Sequence, residues 1–160
     1  MTSPEPAMRR VLVADDEPHI GRIIQLKLEQ GPYQVTLVSD GQEALDVLRS
    51  PEPIDVVLLD IMMPFATGLE VLAEARGMEH RRDTPVIILT AKGQDADRHQ
   101  ALELGATDFF TKPFSPKKLL ARVDELLQSD RITDQSTRRP MVEKQADLRR
   151  AMAARAFDAS

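Results

Sequence analysis

The sequence predicts an α/β fold in which five parallel strands form a doubly wound sheet with helices on both faces. Five short runs of mostly aliphatic residues alternate with five segments whose apolar residues recur at helical spacing. The order is therefore strand then helix, repeated five times, which is typical of parallel sheets covered by helices. Right-handed crossovers between such strands give the doubly wound arrangement.

An aliphatic run and a proline mark the first strand and the first helix. Residues 9–14 are rich in branched side chains and end at an acidic pair, which indicates a buried strand. Pro18 stands where a first helical turn would begin, with Asp16 or Glu17 available as its cap. Apolar residues follow at helical spacing until Gly31 and Pro32 end the helix.

The next four elements show similar boundaries. Residues 33–38 alternate apolar and polar side chains, which favours a second strand. Residues 44–48 mark a second helix that ends before Pro51. Residues 54–60 form a third strand whose aliphatic run indicates burial on both faces. After a loop, the apolar positions within residues 69–75 predict a third helix.

The last four elements complete the repeat. Residues 85–90 predict a fourth buried strand. Residues 95–104 form a more polar fourth helix that ends at Gly105. Residues 106–110 predict the fifth strand, and residues 116–127 the fifth helix.

Composition limits the function classes. Of the 160 residues, 42% are hydrophobic and 29% charged, which are values of a globular chain. There is no cysteine, so disulfides, thiolate metal sites and cysteine nucleophiles are excluded. No apolar run could span a bilayer or serve as a signal peptide, so we expect a cytoplasmic protein without a membrane partner. The net charge of −5 argues against direct binding of nucleic acid.

The chain is predicted to contain one domain and a tail. We assign residues 9–129 to the domain and residues 130–160 to a polar linker and tail, because the second segment is basic and rich in arginine. Within the tail, apolar residues at helical spacing allow a helix over residues 141–157.

Polar residues at the predicted carboxyl ends of the strands carry the chemistry. They are Asp15, Asp16, Asp60, Thr90 and Lys112. Because a doubly wound sheet gathers these ends at one edge, the three carboxylates should converge. Like charges that converge need a cation, and hard oxygen ligands suit Mg²⁺. A carboxylate held beside Mg²⁺, a lysine and a threonine is a plausible nucleophile toward phosphorus.

Four sequence blocks resemble the receiver domain of bacterial two-component response regulators. In order, they are residues 11–18 (Val-Leu-Val-Ala-Asp-Asp-Glu-Pro), residues 59–64 (Leu-Asp-Ile-Met-Met-Pro) with Gly68, residues 88–91 (Ile-Leu-Thr-Ala) and residues 105–114 (Gly-Ala-Thr-Asp-Phe-Phe-Thr-Lys-Pro-Phe). The resemblance covers residues 9–129 and implies a flavodoxin-like fold, in which these residues form the receiver domain.

The resemblance implies a role for each site residue. Asp60 would accept a phosphoryl group from a sensor histidine kinase or a histidine phosphotransfer protein. Mg²⁺ would be the cofactor, bound directly by Asp16, mainly through water by Asp15, and also by Asp60 and the backbone carbonyl of Met62. The domain would catalyse only its own phosphorylation and dephosphorylation, and would not be a true enzyme.

The resemblance also implies a conformational switch. Thr90 would move to hydrogen-bond the phosphoryl group, and Phe109 would rotate into the space that Thr90 leaves. Lys112 would pair with the phosphoryl group, and the Lys112–Pro113 peptide bond would be cis. The surface formed by helix four, strand five and helix five would then change and be read by a partner.

Two finer expectations concern dimerisation and hydrolysis. Asp108 and Arg122 resemble residues that form intermolecular salt bridges in receivers of winged-helix transcription factors, so we expect a phosphorylation-dependent homodimer. In this family, the residues at the positions of Met62 and Lys92 affect access of hydrolytic water. Neither is a carboxylate or an amide that would orient water. We therefore expect slow self-dephosphorylation, which Met62→Asn or Lys92→Glu should alter.

Alternatives remain at this stage. The chain could be a stand-alone switch, or the N-terminal part of a longer regulator with an effector domain, perhaps one that regulates transcription. A haloacid-dehalogenase-like phosphatase also uses an aspartate nucleophile with Mg²⁺, but that family places the nucleophile after its first strand. Here the best nucleophile, Asp60, follows the third strand. Phe109 could also be an ordinary core residue.

Overall fold

The computed structural model describes residues 8–91 and 95–135. The strands are β1 (Arg9–Ala14), β2 (Tyr33–Val38), β3 (Val56–Asp60), β4 (Val86–Thr90) and β5 (Asp108–Thr111). The helices are α1 (Pro18–Leu28), α2 (Gly41–Arg49), α3 (Gly68–Gly77), α4 (Asp95–Glu103) and α5 (Pro116–Gln135), and a short 3-10 helix occupies Glu79–Arg81. The predicted alternation of five strands and five helices is confirmed.

The strands form one sheet in the order β2-β1-β3-β4-β5, and all neighbouring strands are parallel. The chain moves outward from β1 to β2 on one side and then from β3 to β5 on the other. The direction of winding therefore reverses between β1 and β3. In such sheets, ligands bind beyond the carboxyl ends of the strands at this reversal.

The middle of the sheet explains why its strands are so aliphatic. β3 and β4 are buried along their whole length, whereas the first four residues of the edge strand β2 alternate between buried and exposed. One face of the sheet packs with α2 and α3 into a core that includes Leu12, Leu59, Ile88, Leu48 and Leu72. This packing fixes the strand ends from which the polar residues project.

The boundaries that differ from the predictions include the start of β3, which lies at Val56 rather than at residue 54, the start of β5 and the end of α5. Strand β5 begins at Asp108 rather than at residue 106, because the Ala106 N–H donates to the Ala101 carbonyl at 2.9 Å and so closes the end of α4. Helix α5 continues to Gln135 rather than ending at Leu127. No glycine or proline follows Pro116 within this helix, so nothing in its sequence stops it earlier.

The chain divides into two compact units, residues 1–121 and 122–160, and all five strands belong to the first. The helix predicted over residues 141–157 lies outside the described residues. Among the residues that the structure describes, no helix has the length and hydropathy needed to cross a membrane.

Candidate functional site

Three buried polar side chains stand at the carboxyl ends of β1, β3 and β4. Asp15 directly follows β1, Asp60 ends β3 and Thr90 ends β4, and none of them is more than 5% exposed. Asp16, beside Asp15, faces solvent. The sheet order therefore places one exposed and three buried polar residues at the edge where the sequence predicts a site.

The three aspartates converge as predicted. One carboxylate oxygen from each of Asp15, Asp16 and Asp60 lies within 4.8 Å of the others. Like charges at this separation repel each other unless a cation joins them. An oxygen-only cluster with one solvent-facing member is suited to Mg²⁺, which keeps some of its water ligands.

Lys112, just after β5, brings a positive charge to these carboxylates. Its Nζ lies 3.1 Å from Asp15 Oδ2 and 3.2 Å from Asp60 Oδ2. It lies closer still, at 2.7 Å, to Oε1 of Glu17, whose role in the site the sequence did not reveal. The expected cis peptide bond between Lys112 and Pro113 is present.

Two buried oxygen atoms at the site lack hydrogen-bond partners among the residues that the structure describes. Asp15 Oδ1 accepts from the Glu17 N–H at 2.8 Å, but Oδ2 makes only the ion pair with Lys112, without hydrogen-bond geometry. The Thr90 hydroxyl has no partner either. Buried polar atoms are nearly always hydrogen-bonded, so these atoms are suited to a ligand that the site receives.

Burial makes Asp60 unusually basic. Loss of solvation, followed by the negative charge of Asp15, raises the pKa of Asp60 to about 7, against the opposing effect of Lys112. Burial would lower the pKa of Lys112, but the hydrogen bond to Glu17 and the carboxylates of Asp15 and Asp60 raise it above its ordinary value. The lysine therefore stays charged, while ionisation of Asp60 is opposed.

The loop between β3 and α3 borders the site. Gly68 starts α3 so close to β3 that an added Cβ would lie 2.3 Å from the Asp60 carbonyl oxygen. Phe65 has φ +74°, a left-handed conformation that is strained for a bulky residue, and its side chain is 84% exposed. Met62 is also exposed in this loop. The sequence gives no sign of the Phe65 conformation.

Comparison with known proteins identifies the family. A profile of the response regulator receiver domain matches residues 11–124. The chain belongs to the response regulator receiver domain family. Receiver domains are phosphorylation-dependent signalling domains rather than classical enzymes, and histidine kinases or phosphotransfer proteins phosphorylate them.

Solved structures agree with this assignment. The receiver domain of Francisella response regulator 1452 is 37% identical, with a TM-score of 0.69, and the match covers 75% of this chain and 97% of that one. The receiver domain of the Pseudomonas aeruginosa sensor histidine kinase PA1611 is 30% identical (TM-score 0.70; 76% of this chain and 99% of that one) and holds magnesium in its active-site cleft. The BeF3-activated receiver domain of DrrB is 36% identical (TM-score 0.68; 76% and 98%).

The assignment to this family also decides between the alternatives that concern chemistry. Neither the family profile nor these structures supports a haloacid-dehalogenase-like phosphatase. Receiver domains bind Mg²⁺ in an acidic pocket, and the cluster of three aspartates in this chain fits that property.

In this receiver domain, Phe109 lies under an arginine. Phe109 is half-buried on β5 opposite Ile88 of β4 and packs against the main core. The Arg98 guanidinium of α4 lies 4.0 Å from the centroid of its ring, a cation–π contact. The sequence did not single out Arg98, because nothing in a solvent-facing helix pattern shows which arginine will reach a neighbouring strand.

The two residues predicted to form a dimer contact make contacts within the chain. Asp108 Oδ1 accepts from the Phe109 N–H at 2.8 Å, and Arg122 Nη1 pairs with Glu125 Oε1 at 3.0 Å. The dimer contact therefore stays a prediction. Lys92, predicted to affect hydrolysis, lies outside the described residues.

Proposed function

We propose that this receiver domain accepts a phosphoryl group on Asp60 from a phosphorylated histidine of a kinase or phosphotransfer protein. One observation carries the proposal: Asp60 is buried between a second carboxylate, Asp15, and the ammonium of Lys112. Burial and the like charge of Asp15 oppose ionisation of Asp60 more strongly than Lys112 favours it, an arrangement that would destabilise an aspartate with a purely structural role.

The residues present fit Mg²⁺. The ion would be held by Asp16, Asp60 and the backbone carbonyl of Met62, and mainly through water by Asp15, whose buried Oδ2 accepts no hydrogen bond from the described residues. When bound, Mg²⁺ neutralises charge that develops on the phosphoryl oxygens. The raised pKa of Asp60 supports the fit, because a cation at this point would favour the ionised form.

The chain's own residues divide the transfer step between them. One Asp60 carboxylate oxygen forms the new bond to phosphorus as the phosphorus–nitrogen bond of the donor breaks, and the bonding electron pair returns to the donor imidazole. Lys112, already 3.2 Å from Asp60, would pair with a phosphoryl oxygen. The partnerless Thr90 hydroxyl would donate to another.

The switch would follow from the Thr90 contact. Movement of Thr90 toward the phosphoryl group would open space for Phe109, whose ring would then leave the guanidinium of Arg98. Because Arg98 lies on α4 and Phe109 on β5, this exchange would change the surface that a partner reads. The new contacts would stabilise the active state, and its population would rise as a result.

A phosphorylation assay tests this function. The protein with Mg²⁺ and radiolabelled acetyl phosphate should gain a label that hydroxylamine removes, as expected of an acyl phosphate. Asp60→Asn should take up no label, and chelation of Mg²⁺ should prevent labelling of the wild type. Labelling of Asp60→Asn at the wild-type rate would refute the assignment of the phosphoacceptor.

Dimerisation is tested separately by sedimentation with Mg²⁺ and beryllofluoride, a phosphoryl mimic. We expect the mimic to raise the mass of the wild type but not of Asp60→Asn. Charge reversal by Arg122→Glu should prevent that association while leaving labelling of Asp60 intact. Beryllofluoride binding without a change in mass would show a monomeric switch instead.

A further inference from the structure

The side chain of Glu17, the N-cap residue of α1, contacts the functional site and does not cap its own helix. It stands at the N-cap of α1, where a carboxylate often accepts hydrogen bonds from the first helical turn, yet its side chain makes no capping bond. Instead Oε1 accepts from Lys112 Nζ at 2.7 Å, across 95 residues of sequence. The side chain is thus directed toward the site lysine rather than toward its own helix.

Three carboxylates surround the Lys112 ammonium, and those of Glu17 and Asp60 accept hydrogen bonds from it. An ammonium carries three N–H donors, and the Lys112 Nζ has three carboxylate neighbours. They lie at 2.7 Å (Glu17), 3.1 Å (Asp15) and 3.2 Å (Asp60). The shortest contact is to Glu17, the most exposed of the three carboxylates. A phosphoryl oxygen that pairs with Lys112 would therefore compete with these carboxylates for the ammonium.

Glu17 is the neighbour that the site can release. Asp60 would carry the phosphoryl group, and Asp15 would hold the cation. Within the described residues, the other contact of Glu17 with the site is its backbone N–H, which donates to Asp15 Oδ1 at 2.8 Å. A change of the Glu17 side chain leaves that backbone bond in place, so the two roles of the residue can be separated.

We propose that Glu17 is a positioning residue that holds Lys112 on its solvent-facing side and competes with the incoming phosphoryl group for the ammonium. The inference rests on the proposed phosphorylation of Asp60. Glu17 would thereby restrain phosphorylation by small donors, because it occupies the lysine and adds a negative charge where a second anion must arrive.

Initial rates of labelling by acetyl phosphate with saturating Mg²⁺ test the inference. In this reaction an Asp60 oxygen bonds to phosphorus, and acetate leaves with the electron pair of the broken phosphorus–oxygen bond. Glu17→Gln should raise the rate about two- to fivefold, the range expected for loss of an exposed ion pair. Glu79→Gln removes the same charge from an exposed position in the 3-10 helix, outside the site, and should leave the rate unchanged.

A second readout reports the lysine itself. In metal-free protein, the ¹H–¹⁵N signal of the Lys112 ammonium should shift in Glu17→Gln and stay in place in Glu79→Gln. An unchanged or lower rate in Glu17→Gln would overturn the inference. So would a higher rate without a shift of the ammonium signal. Absence of Asp60-dependent labelling in the wild type would instead contradict the proposed function, so the two failures are distinguishable.

Discussion

Buried charged side chains have different surroundings at the two ends of the parallel strands. We call these ends the amino edge, where the strands begin, and the carboxyl edge, where they end. At the amino edge, Arg81 is only 3% exposed, and its guanidinium donates to the carbonyls of Leu48, Ser50 and Glu52 at 2.7–2.9 Å. At the carboxyl edge, Asp15 and Asp60 are equally buried but repel each other.

Arg76 repeats the pattern of the amino edge. It donates to the carbonyls of Arg81, Arg82, Thr84 and Gly105, and so joins α3 to the segments that precede β4 and β5. These arginines satisfy carbonyls that loops would otherwise leave open. A buried charge whose hydrogen bonds are satisfied therefore stabilises the fold, whereas a buried carboxylate with unsatisfied oxygen atoms is suited to binding a ligand.

The largest expected effect concerns the amino edge. Arg81→Met should lower the free energy of unfolding by about 3 kcal/mol, because the carbonyls it serves lose their charged donor. Urea unfolding followed by circular dichroism measures the loss. Arg82→Met, at an exposed neighbouring position, should change stability by less than about 0.5 kcal/mol. Equal losses of stability in the two variants would show that the buried Arg81 stabilises the fold no more than an exposed arginine does.

At the carboxyl edge, by contrast, removal of a buried charge is expected to stabilise the protein at neutral and higher pH. The pKa of Asp60 rises from 3.8 to about 7 on folding, so between these pH values the native metal-free protein binds more protons than the unfolded chain. Its stability should therefore fall as the pH rises through this window. Asp60→Asn should lack this dependence and be more stable above pH 7, by on the order of 2 kcal/mol.

Unfolding of the metal-free wild type and Asp60→Asn at several pH values checks this prediction. Asp46→Asn, which removes an exposed carboxylate from α2, serves as the control and should follow the wild type. If Asp60→Asn is the less stable protein above pH 7, then Asp60 contributes to the fold and the carboxyl edge is not destabilised by its charges.

The smallest expected change in stability concerns Arg98, whose guanidinium stacks on an aromatic ring. Arg98 contacts the face of Phe109, and Arg98→Met should cost only about 0.5–1 kcal/mol of stability. Gln100→Met, at an exposed position of the same helix, is the control. We expect only Arg98→Met to change the ¹H–¹³C signals of the Phe109 ring. A loss of stability as large as that of Arg81→Met would show that Arg98 stabilises the fold as strongly as Arg81 does.

The sequence was sufficient to predict the sheet and the convergence of the aspartates. Buried parallel strands appear as aliphatic runs, and the topology of such a sheet brings Asp15, Asp16 and Asp60 to one edge regardless of side-chain detail. The order of the motifs was also sufficient to identify the family, which the profile match confirmed.

The contacts that depend on long-range packing could not be predicted. Glu17 and Lys112 are 95 residues apart, and the sequence offered Glu17 only as a helix cap. The carbonyls that Arg81 serves lie about 30 residues upstream in the chain, and an arginine in a polar loop is ordinarily expected to be exposed. Such contacts depend on which loop ends meet once the sheet has formed.

The most direct test of the contrast between the edges is a ¹³C NMR titration of the aspartate carboxyl groups, with Asp60→Asn used to assign the Asp60 signal. In metal-free protein we predict that Asp60 titrates near pH 7. We expect added Mg²⁺ to move this titration to clearly lower pH. An Asp60 carboxyl group that titrates near 3.8, with no response to Mg²⁺, would contradict the account of the carboxyl edge as a charged site kept open for a cation and a phosphoryl group.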